Sequence, residues 1–153
     1  MSAKWDIRYL DVAKLVGTWS KDPSTQVGAV VVGQIGEILA TGYNGFSRGI
    51  IDSNYRYEDR AKKYELIVHA EMNCIYNATH NGVALKDSTL YIHGLPVCHE
   101  CAKGVIQVGI KRVVMPWTKP QDDVDDKWVK SYTKTLAMFE ECDIESTFIT
   151  HET

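Results

Sequence analysis

Several things are scarce in this 153-residue chain, and each scarcity excludes something. Positive charge is not in surplus: 17 Lys and Arg stand against 20 Asp and Glu, a formal charge of −3. Sequence-independent adhesion to a polynucleotide needs a basic surface, so no stable nucleic-acid partner is expected. No apolar run approaches the ~20 residues that span a bilayer. The start, "MSAKWDIRYL", lacks the basic region and apolar stretch of a signal peptide, so a soluble, cytoplasmic protein without a membrane partner is expected. Four cysteines in such a chain, two of them as C-x-x-C, point to metal or redox chemistry before a disulfide framework. Neither an internal repeat nor a low-complexity segment is present.

What is there suits one compact domain over residues 1–153, 44% hydrophobic, with enough apolar surface for a core. Apolar groups at Ile7, Tyr9, Leu10, Val12, Ala13, Val16 and Trp19 predict an amphipathic helix over 6–19 behind an Asp6 cap. The β-branched run "QVGAVVVG" (26–33) and "EILATGY" (37–43) predict a hairpin about Gly33 and Gly36. Residues 44–66 show no sustained period, and their charges crowd into 56–65, so a long functional loop with at most a short helical turn is expected. A helix from His69 to about Thr79, a strand in "STLYIHG", a helix in "CHECAKGVIQVG", a strand in "IKRVVMP", a helix in "DDKWVKSYTKTLAMFEEC" and a strand in "IESTFIT" follow. Strands alternating with helices after an opening hairpin predict an α/β fold of three layers, α/β/α, on a five-stranded mixed sheet.

The chemistry sits in "HAEMNC" (69–74) and "PVCHEC" (96–101). A catalytic zinc takes three protein ligands and keeps a fourth position for water. His69, Cys98 and Cys101 are the three candidates, with both thiols at a predicted helix start where the dipole favours thiolate. Glu71 is two residues from His69, unlike the i, i+4 spacing by which one helix offers two ligands, and is read as the general base beside that water. Two duller readings stand beside this one. A redox C-x-x-C leaves His69 and Glu71 unexplained. A structural zinc knot needs a fourth ligand, for which His93 or His99 is available. His80 and His151 are read as ordinary polar residues, and Cys74 and Cys142 as buried small hydrophobes.

The pair H-x-E and P-C-x-x-C is the signature of zinc nucleobase deaminases. With "KDPSTQVGAVVV", "GYNGFSRG", "HAEMNCIYNA" and "CHECAKGVIQVGIKRVV" in order over residues 5–150, the chain resembles the deoxycytidylate (dCMP) deaminase family of the cytidine deaminase-like fold. One departure is Val97, which separates Pro96 from Cys98. The resemblance implies hydrolysis of dCMP to dUMP and ammonia with one catalytic Zn²⁺ per subunit, since residues 45–68 lack the His and Cys of the structural zinc that some members hold. It implies that Asn44 contacts the nucleotide. The Ala70 N–H is a candidate for the base carbonyl, Lys21, Ser24 and Lys119 for phosphate, and Trp117 for packing on the base. It further implies a homo-hexamer activated by dCTP and inhibited by dTTP, with Mg²⁺ accompanying the triphosphate. That effector site falls near Gly42, Tyr43, Asn44 and Gly45, with Arg48, Arg56, Arg60, Lys62 and Lys63 as neutralising cations. A deaminase of another cytosine, adenine or guanine compound is the rival enzyme, and a non-catalytic zinc module the rival outside enzymes.

Overall fold

A computed structural model describes residues 2–116 and 126–150, with Asp126 by its backbone only. The elements are α1 (Ala3–Gly17), β1 (Gly28–Val32), β2 (Ile38–Tyr43), β3 (Gly45–Phe46), α2 (Asn54–Glu58), α3 (Arg60–Leu66), β4 (Ile67–Val68), α4 (Ala70–His80), β5 (Thr89–His93), α5 (His99–Gln107), β6 (Arg112–Pro116), α6 (Asp126–Glu141) and β7 (Glu145–Ile149).

The main sheet has the order β2-β1-β5-β6-β7. β1 is antiparallel to both neighbours, whereas β5, β6 and β7 run parallel. β2 and β5 therefore share a direction, and the chain between them crosses over β1 by way of α4. β1 is wholly buried because it lies between two strands and is covered on both faces, which explains its continuous apolar run. Its residues divide by the period of two. Val30 and Val32 meet Tyr9, Leu10 and Ala13 of α1, and Ala29 and Val31 join the opposite core of α4, α5 and Phe139 from α6. Three layers and a five-stranded mixed sheet are as expected. The β1–β2 turn uses Gly36 at φ +86, a conformation open to glycine.

Three expectations need correction. Asp6 does not cap α1. Ser2 holds the N-cap position, and Asp6 is buried inside the first turn, taking two hydrogen bonds from Arg112 (2.9 and 2.8 Å) and one from Tyr91 (2.7 Å). Its partners lie 85 and 106 residues away, beyond the reach of a local pattern. Residues 44–66 are not one loop either. The β3–β4 ladder pairs Gly45 with Val68 and Phe46 with Ile67, and Phe46 stacks on the buried Tyr57 at 4.2 Å between centroids. Two aromatic anchors hold two short helices that carry too few apolar residues to show a period. Cys74 is buried as expected, but Cys142 is exposed beyond the end of α6. Among the described residues, no helix is long and apolar enough to cross a membrane.

Candidate active site

α4 and α5 begin side by side at the end of the sheet where β5 stops. His69 is the N-cap of α4 and Cys98 the N-cap of α5, both in extended backbone, which turns their side chains toward the space between the helix starts. Glu71 and Cys101 follow in the respective first turns. His69 Nδ1 lies 3.3 Å from Cys101 Sγ and 3.4 Å from Cys98 Sγ, and Glu71 Oε1 is 4.0 Å from the same nitrogen. One ligand atom from each of the four falls within 4.8 Å of the others. With Zn–N near 2.0 Å and Zn–S near 2.3 Å, nitrogen and sulfur donors of a tetrahedral site stand about 3.5 Å apart, so each sulfur lies from the imidazole nitrogen at the spacing of zinc ligands. The Glu71 carboxylate is buried and faces this cluster, as its reading as a base requires. The redox and knot readings have less support, because His69 and Glu71 join the C-x-x-C pair and His99 turns instead to Ser131.

The electrostatics follow from crowding ionisable groups in a dry place. Burial pushes the Glu71 carboxyl above its usual range, with His69 opposing the rise. The hydrogen bond from Cys101, then that from His69, hold the Cys98 thiol well below the ordinary thiol range despite burial. Cys101 is pushed up, first by its bond to Cys98 and then by burial and Glu71. His69 is raised chiefly by its hydrogen bond to Cys98. Metal binding displaces protons from such ligands, so a divalent cation here would take the place of protons that the thiols and the imidazole otherwise hold.

A cleft opens onto the cluster. Val27, Ile67, Leu95, Pro96 and Trp128 form its apolar walls, and Asp22, Thr25, Asn44, Lys63 and Tyr64 its polar end. Ala70 lines it too, at the first helical position of α4, where the N–H has no acceptor within the helix. Asn44 is buried there, so its amide is braced: Oδ1 accepts from Val27 N (2.9 Å), and Nδ2 donates to Thr25 O (2.8 Å) and Asp22 Oδ2 (3.4 Å). Lys21 stands apart from the lining, exposed and paired with Asp52 at 2.8 Å. Ser24 is also absent from it and donates its N–H to Asp22 Oδ1 (2.9 Å). Trp117 and Lys119 lie outside the described residues.

Lys63, expected among the cations of the effector site, lines this first cleft instead. The sequence reading missed three contributors. Asp22 was hidden in a turn and Trp128 on the distant α6. The third is a pair of hydroxyls on α6 that grips the chain on both sides of Cys98. Thr135 Oγ1 donates to Val97 O (2.9 Å), and Ser131 Oγ accepts from His99 N (3.0 Å). Val97, the residue that departs from the P-C-x-x-C spacing, is fully buried, and its carbonyl is thereby satisfied. The i, i+4 spacing of Ser131 and Thr135 on one helix face was the available signal.

Tyr43, Gly45 and Arg48 line a second cleft with Phe46, Asn73, Tyr76 and Asn77. Asn44 belongs to the first cleft, not this one. Gly42 lines neither and is pressed against α4.

One imidazole, two thiols and a buried carboxylate at paired helix starts form a donor set with the composition that a zinc ion takes. Comparison with known proteins agrees. The family model "Cytidine and deoxycytidylate deaminase zinc-binding region" matches residues 3–116. An uncharacterized deaminase from the luxG 3′ region of Aliivibrio fischeri is 36% identical over 149 residues, spanning 97% of this chain and 96% of that protein. Deoxycytidylate deaminase of Homo sapiens is 37% identical over 124 residues, 78% of this chain and 68% of its own length. A crystal structure of dCMP deaminase from the cyanophage S-TIM5, in complex with dCMP and dUMP, superposes with a TM-score of 0.76 over 97% of this chain and 99% of its own, at 22% identity. The last likeness establishes the fold. The chain belongs to the cytidine and deoxycytidylate deaminase family, and it is an enzyme of the deaminase class.

Proposed function

We propose that this protein is a zinc-dependent dCMP deaminase, which replaces the C4 amino group of the cytosine ring by oxygen and releases ammonia. The observation that carries the reading is the buried Glu71 carboxylate inside the cluster of His69, Cys98 and Cys101, which lines a cleft with both apolar and polar walls. The deoxycytidylate deaminases among its relatives supply the substrate class.

His69, Cys98 and Cys101 hold the ion. When bound, it supplies the Lewis acidity that acidifies water near neutral pH. Two thiolates offset much of its charge, so a neighbouring base is needed. Glu71 takes the proton of the attacking water and passes it to the departing amino group, which leaves as ammonia. The Ala70 N–H receives the ring carbonyl, and the apolar walls keep bulk water from the ring.

Regulation by dCTP and dTTP, with Mg²⁺ on the triphosphate and a hexameric assembly, extends the same reading. The second cleft supports it through the Arg48 side chain, which donates to Asn77 of α4, the helix that also carries Glu71. A ligand there would touch the catalytic helix directly.

Replacing Glu71 with Gln tests the core of the proposal. Zinc should remain bound while ammonia release from dCMP drops by about 100- to 10,000-fold. Near-normal turnover in Glu71→Gln protein with full zinc content would end the mechanism. Cytidine, CMP, dCMP and dCTP assayed side by side fix the substrate, and a titration with dCTP and dTTP that moved nothing would remove the effector reading.

A further inference from the structure

We infer that Lys63 is a specificity residue, which together with Asn44 recognises a hydroxyl of the substrate's pentose. The inference rests on the pyrimidine nucleotide reading above. Attack at C4 places that carbon at the metal cluster, and the ring nitrogen that bears the sugar lies across the ring from it. The pentose is then the first group beyond the apolar walls, and it meets the polar end of the cleft, where Asp22, Thr25, Asn44, Lys63 and Tyr64 stand.

Lys63 is the one lysine or arginine among the described residues of this lining, and its side chain is only 10% exposed. Its Nζ donates to Asp22 Oδ1 at 3.2 Å and stands 3.1 Å from Oδ2 as an ion pair. An ammonium carries three protons, so at least one is left after Asp22, and no acceptor for it is found among the described residues; the Tyr64 ring stands 5.7 Å away. Asn44 shares Asp22 Oδ2 with Lys63, so the two groups are adjacent. Both Nδ2 protons of Asn44 are used, but Oδ1 accepts only the Val27 N–H and keeps a second lone pair. One spare donor and one spare acceptor side by side are the complement of a hydroxyl, which accepts and donates at once. A phosphate fits worse. It offers acceptors only, and at this position it would sit against the Asp22 carboxylate, whose charge already neutralises the lysine. Asp22 also holds the Ser24 and Thr25 N–H groups, so Lys63 is not needed merely to satisfy it.

The test compares kcat/KM for dCMP, 2′,3′-dideoxy-CMP and deoxycytidine in wild type, Lys63→Met and Lys63→Arg. Wild type should favour dCMP over the dideoxy compound by roughly 10- to 100-fold, the range of a hydrogen bond to a charged group. In Lys63→Met that preference should shrink toward unity through loss on dCMP alone, while the preference for dCMP over deoxycytidine stays as in wild type. Lys63→Arg should retain part of the hydroxyl preference. An unchanged hydroxyl preference in Lys63→Met overturns the inference, and so does a collapse of the phosphate preference instead. If Lys63→Met does not fold, a wild-type preference near unity overturns it without any variant. No ammonia from any of the three compounds would instead sink the substrate reading, and this inference with it.

Discussion

Gly42→Ala separates a packing glycine from an effector-binding one. A Cβ at this position would stand 2.3 Å from the Cys74 N and 2.7 Å from the Ala70 O, an i, i+4 donor and acceptor at the start of α4. Neither is the end of a flexible side chain, so β2 and the helix start must part by roughly 1 Å to reach ordinary contact. Overpacking of this kind costs about 1–3 kcal/mol, which for a chain of this length lowers Tm by roughly 3 °C per kcal/mol. The helix start that moves carries His69 and Glu71. Displacing a catalytic group by about 1 Å can cost about 100-fold in rate. Thermal melts and ammonia release, both without any nucleoside triphosphate, should therefore show a lower Tm and a deep loss of turnover. A Gly42→Ala protein with wild-type Tm and basal rate but an altered dCTP response would refute the packing argument and return Gly42 to the effector site.

Other consequences can be measured directly. Asp6→Asn leaves the Arg112 guanidinium without its buried partner and should cost about 3 kcal/mol near neutral pH. Burial works to raise the Asp6 carboxyl, but the bonds from Arg112 and Tyr91 outweigh it, so its pKa lies below the ordinary 3.8. The contribution is therefore complete above pH 3.8 and fades as pH falls through the lowered folded value, and denaturation curves of wild type and variant should converge in that acid range. Thr135→Val strips the Val97 carbonyl of its donor and loosens the chain before Cys98. It should cost about 1 kcal/mol and speed zinc loss to a chelator by 10- to 100-fold, with Thr135→Ser restoring retention. Equal zinc retention in the Val variant, after matching for stability, would show the hydroxyl to be a fold contact only.

How far the chain could be understood unaided depends on the distance over which each feature is decided. The metal cluster was legible because each half is local: His69 with Glu71, and Cys98 with Cys101, each pair spanning one helix start. β1 was legible because burial on both faces demands one residue class throughout. Asp6 was not, since its partners come from strands β5 and β6, and an acidic residue near a helix start has an adequate local explanation as a cap. Residues 44–66 failed for a related reason: one aromatic stack, Phe46 on Tyr57, holds short helices that pattern alone cannot separate from loop.

Lys62 and Lys63 show the limit most sharply, because sequence gives them the same chemistry at adjacent positions. On α3 they point about 100° apart. Lys62 faces outward, 54% exposed and 3.6 Å from Glu65, where an ion pair contributes little. Lys63 faces inward onto Asp22 at the polar end of the cleft. What distinguishes them is the angle at which α3 meets the rest of the fold, and that angle is set by Tyr57, Phe46 and the β3–β4 ladder, not by the lysines themselves. A charge run near an active site is therefore better read as a set of candidates, of which the helical turn admits one to the cleft and leaves its neighbour in solvent.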